Sequence, residues 1–146
     1  MIREGQPAPD FDLTSDDGKR VKLSDFRGSV VVLYFYPKDD TTGCTTQACG
    51  MRDHYDAFRE RDAVVLGVSP DDEDSHADFK QKYGLPFKLL ADTELEVTKA
   101  YGVLRDDAPY PERATFVIGE DGAVKRVFRK VDPDTHADEV LAALDP

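Results

Sequence analysis

The sequence predicts an α/β domain in which helices flank both faces of a central mixed β-sheet, entered through an N-terminal β-hairpin. Three observations predict it. The most apolar run, Val30 to Tyr36, is too short for a helix and rich in β-branched and aromatic residues, which fits a strand buried on both faces. Helical periodicity then alternates with short apolar strands as far as Gly102. After that come a hairpin signature and a final helix. With 146 residues, the chain reads as one domain over 1–146 with room for a real core.

In order, Phe11 and Leu13 alternate with polar neighbours, Asp16-Asp17-Gly18 signals a turn, and Val21 and Leu23 resume the alternation. Ser24 to Gly28 reads as a single turn closed by glycine. Pro37 stops the central strand, since it has no N–H for the ladder. From Cys44 to about Arg61 the period is helical. Ala48, Met51, Tyr55 and Phe58 share a face with Cys44, and Asp53, Asp56 and Glu60 lie opposite. Ala63–Ser69 is a second strand. Pro70 to Ser75 enters an acidic helix that runs to Tyr83, with His76, Phe79 and Tyr83 on one stripe and Gly84 at its end. Phe87–Leu90 is a short strand. Thr93 and Glu96 have capping-box spacing ahead of a helix ending at Gly102. A loop carries Pro109 and Pro111. Thr115–Ile118 and Val124–Arg129 form the hairpin, and Asp134 is placed to cap the last helix.

Composition narrows the function. The net charge of −11 offers no cationic footprint for nucleic acid or an anionic membrane, so neither is expected as a partner. The longest apolar run is far short of a membrane span. Met1 to Pro7 lacks the apolar core of a signal peptide, so the expected location is cytoplasmic. The basic strand Lys125 to Lys130 reads as a charged strand that discourages edge pairing, with an acidic partner as the alternative.

The chemistry concentrates between Pro37 and Cys49, which holds both cysteines. A strand ends at a proline, crosses a polar loop and delivers Cys44 to a helix start. Unpaired N–H groups and the helix dipole favour negative charge there, and a cysteine attacks as its thiolate. Gly43 allows close backbone approach by a small anionic ligand. Thr41 can aim a hydroxyl at the sulfur or at an oxygen on it. Asp39 and Asp40 oppose a thiolate, so a cation from elsewhere is needed. Arg113, just before a central strand, is the candidate, against the plainer reading of a surface arginine.

Cys49 follows five residues later. In a regular helix the two Cα atoms are about 8–9 Å apart, beyond the roughly 7 Å limit for a disulfide. Pairing would require the first turns to unwind, and inert small residues remain the alternative. His54, His76 and His136 show no metal-ligand spacing with the cysteines and each reads as a surface histidine, so no metal is expected. The absence of Cys-x-x-Cys disfavours thioredoxin-type exchange at this site.

Pro37-x-x-x-Thr41-x-x-Cys44 resembles the active-site motif of the peroxiredoxins. Val32 to Lys38 and Gly43-Cys44-Thr45-x-Gln47-Ala48-Cys49 resemble its bacterioferritin comigratory protein, or Q-type, branch, and Arg113-x-x-Phe116-Val117-Ile118 matches the arginine-bearing segment. The resemblance covers essentially the whole chain. It implies a thioredoxin-like fold and a thiol peroxidase for hydrogen peroxide and organic hydroperoxides, with no cofactor. Carried over by position, Cys44 is the peroxidatic cysteine and Cys49 the resolving one, joined in an intramolecular disulfide. Thr41 holds the peroxide, Arg113 stabilises the thiolate and the developing charge, and Pro37 shapes the pocket. The implied partner is thioredoxin or a similar dithiol, and the implied state is a monomer. The family usually has proline where this chain has Thr42, which predicts altered dynamics rather than lost activity. The competing expectations are a one-cysteine peroxidase using an external thiol, and a non-enzymatic redox-sensing or chaperone-like module.

Overall fold

In a computed structural model that describes residues 2–144, the chain builds one seven-stranded mixed sheet. Its strands are β1 (Asp12–Ser15), β2 (Arg20–Lys22), β3 (Val30–Phe35), β4 (Ala63–Ser69), β5 (Lys88–Ala91), β6 (Ala114–Ile118) and β7 (Val124–Arg129). They lie in the order β2-β1-β5-β4-β3-β6-β7. The centre, β3-β4-β5, is parallel, and β6, β7 and the β1–β2 hairpin join antiparallel. The helices are α1 (Thr42–Asp53), α2 (Tyr55–Glu60), α3 (Glu73–Tyr83), α4 (Glu96–Ala100) and α5 (His136–Ala143), with a 3-10 turn at Leu23–Phe26.

The alternation along β3 divides the core. Val31, Leu33 and Phe35 face a cluster with Leu66, Val97, Tyr101 and Phe116, covered by α4 and the N-terminal arm. Val32, Tyr34 and Tyr36 face the other cluster, with Cys44, Ala48, Met51, Phe58, Phe79 and Val140 from α1, α2, α3 and α5. Parallel strands buried on both faces need no alternation of polar residues, which is why β3 reads as an apolar run. The fold is thus the predicted thioredoxin-like α/β layering, with the hairpin continuing the sheet at one edge and the exposed Lys125, Arg126 and Arg129 on the opposite edge strand.

Four local expectations are corrected. The helix predicted from Cys44 to Arg61 begins at Thr42 and breaks at His54 (φ −103°, ψ 9°), whose ring Nδ1 lies 2.9 Å from the Gly50 carbonyl oxygen. Thr93 does not cap α4. The Asp92 carboxylate takes the N–H groups of Val97 and Thr98 and the Thr98 hydroxyl instead, because Leu95 turns left-handed (φ 61°) and folds the helix start back over Asp92. Asp134 does not cap α5, since Thr135 occupies the N-cap position and its hydroxyl donates to Glu139. Finally, His76 and His136 are not surface residues: they are 0% and 1% exposed.

Candidate active site

The site lies where β3 ends at the sheet centre. Tyr36 N–H still donates to Val68 of β4, and Pro37 then stops the strand and opens a five-residue loop. Thr41 is the N-cap of α1, with extended backbone (φ −88°, ψ 158°). Its carbonyl accepts the first helical bond, from Thr45 N–H at 2.8 Å. Cys44 is therefore the third residue of α1, within the turn whose N–H groups have no intrahelical acceptor. It is 1% exposed and packs in the core cluster below β3, while Cys49, one face round, is half-buried.

The structure brings Arg113 to the backbone beside Cys44 and sets Pro37 and Thr41 along one cleft, with Cys49 on another face of α1. Arg113, just before β6, donates from Nη1 to Gln47 Oε1 at 3.0 Å. A Cβ built on Gly43 would lie 2.6 Å from Arg113 Nη2 and 3.3 Å from its Cζ. The guanidinium thus rests against the backbone immediately before Cys44, and only glycine permits that approach. This places a cation from outside the loop beside the start of α1. Thr41 does not spend its hydroxyl proton on the site: Oγ1 donates to the Lys38 carbonyl at 2.9 Å, which leaves the oxygen lone pairs as acceptors. Pro37 and Thr41 line a cleft of about 340 Å³ together with Lys38, Pro70, Asp71, Pro109 and Tyr110. Tyr34 is buried in the same core cluster as Cys44. Burial, and after it the neighbouring Cys44 and Asp39, hold its phenol far above the usual range, so the ring stays neutral.

Neither loop carboxylate opposes a thiolate as a free charge. Asp39 is buried against His76, with Nδ1 to Oδ2 at 2.7 Å, and also accepts from the hydroxyls of Tyr36 and Ser75. Asp40, held left-handed at φ 59°, accepts from Lys82 Nζ and the Tyr83 hydroxyl, both at 2.7 Å. The loop is thus fastened to α3 at two consecutive residues. Sequence reasoning missed these anchors, and it missed Gln47. Gln47 stands three residues after Cys44, and that i,i+3 spacing is the signal that would have found it. Its Nε2 has no hydrogen-bond partner among the described residues.

The comparisons with known proteins agree with this geometry. Residues 4–127 match the AhpC/TSA family model. The chain is 46% identical to peroxiredoxin Bcp of Bacillus subtilis, over 98% of this chain and 95% of that one. The chain is a peroxiredoxin. Among solved structures, this peroxiredoxin superposes on a mutant PrxQ of Xylella fastidiosa with a TM-score of 0.95 at 32% identity, covering 99% and 96% of the two chains. It also superposes on the bacterioferritin comigratory protein of Xanthomonas campestris, studied for alkyl peroxide reduction, with a TM-score of 0.89 at 35% identity over 92% and 89%. The peroxiredoxin is accordingly a thiol peroxidase of the Bcp/Q type.

Thr42, where the resemblance leads one to expect proline, is the first residue of α1. Proline is favoured at that position, and the extended backbone of Thr41 already suits a residue preceding proline. Thr42→Pro is therefore expected to stabilise the helix start by about 0.4–1 kcal/mol. Any rearrangement that unwinds α1 should slow by up to about fivefold. Thermal unfolding, together with the rate of disulfide formation in a single turnover, checks this. A faster rate with unchanged stability would contradict it.

Proposed function

We propose that Cys44 reduces hydrogen peroxide and organic hydroperoxides and that Cys49 completes the cycle within the same chain. The observation that carries this reading is Cys44 in the unpaired first turn of α1, with the Arg113 guanidinium against Gly43. The Cys44 thiolate attacks one peroxide oxygen, and the O–O bond breaks. The leaving oxygen takes a proton and departs as water or an alcohol, while Cys44 becomes a sulfenic acid. Arg113 and the free N–H groups stabilise the charge that builds on the separating oxygens. Thr41 Oγ1 accepts the peroxide's O–H. The apolar cleft of Pro37, Pro70, Pro109 and Tyr110 offers room for an alkyl tail, in keeping with the alkyl peroxide activity named for the Xanthomonas protein.

Both cysteines lie within the unbroken α1, so their Cα atoms are about 8–9 Å apart. The helix start must unwind before the Cys49 thiolate can attack Cys44 Sγ, expelling water and forming the disulfide. An external dithiol, thioredoxin in our reading, then reduces it by exchange. A pair carried on one helix needs no second subunit, which favours a monomer, and a reducible disulfide suits the cytoplasm.

The test is intact mass after one equivalent of peroxide. Loss of two hydrogens supports the Cys44–Cys49 bond, whereas a stable added oxygen or a mixed disulfide would show a one-cysteine enzyme. Peroxide consumption with thioredoxin, thioredoxin reductase and NADPH, compared with Cys44→Ser, tests the reductant. Turnover no faster than that variant would overturn the thioredoxin assignment.

A further inference from the structure

One fully buried polar side chain beside the reactive loop, His76, is not used by the chemistry above. It lies on α3, with the Tyr36 ring 6.3 Å from its own. Its Nε2 lies 3.0 Å from the Leu90 carbonyl oxygen, an acceptor only, so Nε2 carries a hydrogen. Its Nδ1 lies 2.7 Å from Asp39 Oδ2. The Tyr36 hydroxyl donates to Asp39 Oδ1 at 2.6 Å, and the Ser75 hydroxyl donates to Oδ2 at 2.8 Å. The short Nδ1–Oδ2 contact makes the pair a single buried unit. Asp39 N–H completes the set by donating to Asp71 Oδ2 at 2.7 Å. Backbone and side chain of Asp39 are therefore both fixed, two residues before Thr41 and five before Cys44.

We propose that His76 is a positioning residue for the peroxide reaction: through Asp39 it holds the Pro37–Thr41 loop in the conformation that presents Thr41 and Cys44 to peroxide. A misplacement of about 1 Å in such a constellation costs up to about 100-fold in rate. A buried carboxylate left without its partner is expensive, so the loop cannot stay where it is once His76 is removed. The same network stabilises the wound start of α1 and does nothing for the unwound one. Losing it should therefore slow attack on peroxide and speed the step in which Cys49 reaches Cys44. That second consequence rests on the disulfide reading above; the first does not.

The experiment measures both steps separately. In a Cys49→Ser background only Cys44 reacts, and the second-order rate with hydrogen peroxide is followed for His76→Ala, Asp39→Ala and the two combined. Each single change is expected to slow attack by about 10-fold or more, and the double variant should be no slower than the worse single one. With Cys49 restored, disulfide formation after a peroxide pulse should be as fast as in the parent or faster. Attack unchanged by His76→Ala, or losses that multiply in the double variant, would overturn the proposal. So would equal slowing of both steps. Ser75→Ala, which removes only one of the donors to Asp39, gives the same split at smaller amplitude if His76→Ala does not fold. A parent protein that forms no disulfide would overturn the resolving role of Cys49 and leave the peroxide-step result standing.

Discussion

Arg113→Met is expected to slow the attack of Cys44 on hydrogen peroxide by about 100-fold or more while the protein stays folded. The guanidinium lies against the backbone that leads into Cys44, and its Nη1 donates to Gln47 at 3.0 Å. Arg113→Lys should recover little, because an ammonium cannot donate to Gln47 and lie flat on Gly43 together. Gly43→Ala makes the same point from the other side. Its new Cβ would sit 2.6 Å from Nη2, and the movable partner is the tip of a flexible side chain. The fold should therefore survive with the guanidinium displaced and the rate lowered. Competition kinetics for peroxide, alongside urea unfolding, measure both quantities. An Arg113→Met rate within about threefold of the parent would rule out the electrostatic role.

Acid should weaken this protein above the range in which carboxylates titrate, because of His136. Burial lowers its pKa to about 4, only partly offset by Glu139. The ring packs edge-on to Phe128, and Nε2 lies 2.6 Å from Thr115 Oγ1. The unfolded chain protonates this histidine near pH 6.5, whereas the folded chain does so only near 4. Full stability is therefore present above pH 6.5. It falls as pH drops through the window to 4, by about 1.4 kcal/mol per unit and on the order of 3 kcal/mol in all. The carboxylates held below their usual value, Asp40 by Lys82 and Tyr83 and Asp121 by the Ala123 N–H, act only at lower pH. His136→Gln keeps a neutral partner for Thr115 and does not titrate. Urea midpoints between pH 7 and 4.5 should fall steeply for the parent and stay nearly flat for the variant. Parallel slopes would exclude His136 as the cause.

The parts of the molecule that were legible in the sequence are those whose cause is local. β3 announces itself by an apolar run, and the buried face of α1 by the spacing of Cys44, Ala48 and Met51. The cysteine geometry follows from the helix alone. What stayed hidden depends on partners distant in sequence. His76 looks like a stray polar residue in an apolar stripe until Asp39, 37 residues away, is folded against it. Arg113 meets Gln47 across 66 residues, and its place before a central strand made it a candidate without showing what it touches. The cap of α4 was misassigned because Thr93 and Glu96 satisfy the spacing rule. A left-handed Leu95 is invisible to any rule about spacing.

The break at His54 limits how far a disturbance can spread. Helical order is cooperative along an uninterrupted ladder and loses that cooperativity where the ladder stops. The stretch that must melt for Cys49 to reach Cys44, from Thr42 to Cys49, lies wholly on the N-terminal side of the break. Beyond it α2 keeps Phe58 fully buried, and His54 itself is tied to Asp138 of α5 at 2.9 Å. In the proposed two-cysteine cycle His54 would thus act as a firebreak, confining the melting of the reactive end to α1 while the sheet and its far helices keep their packing.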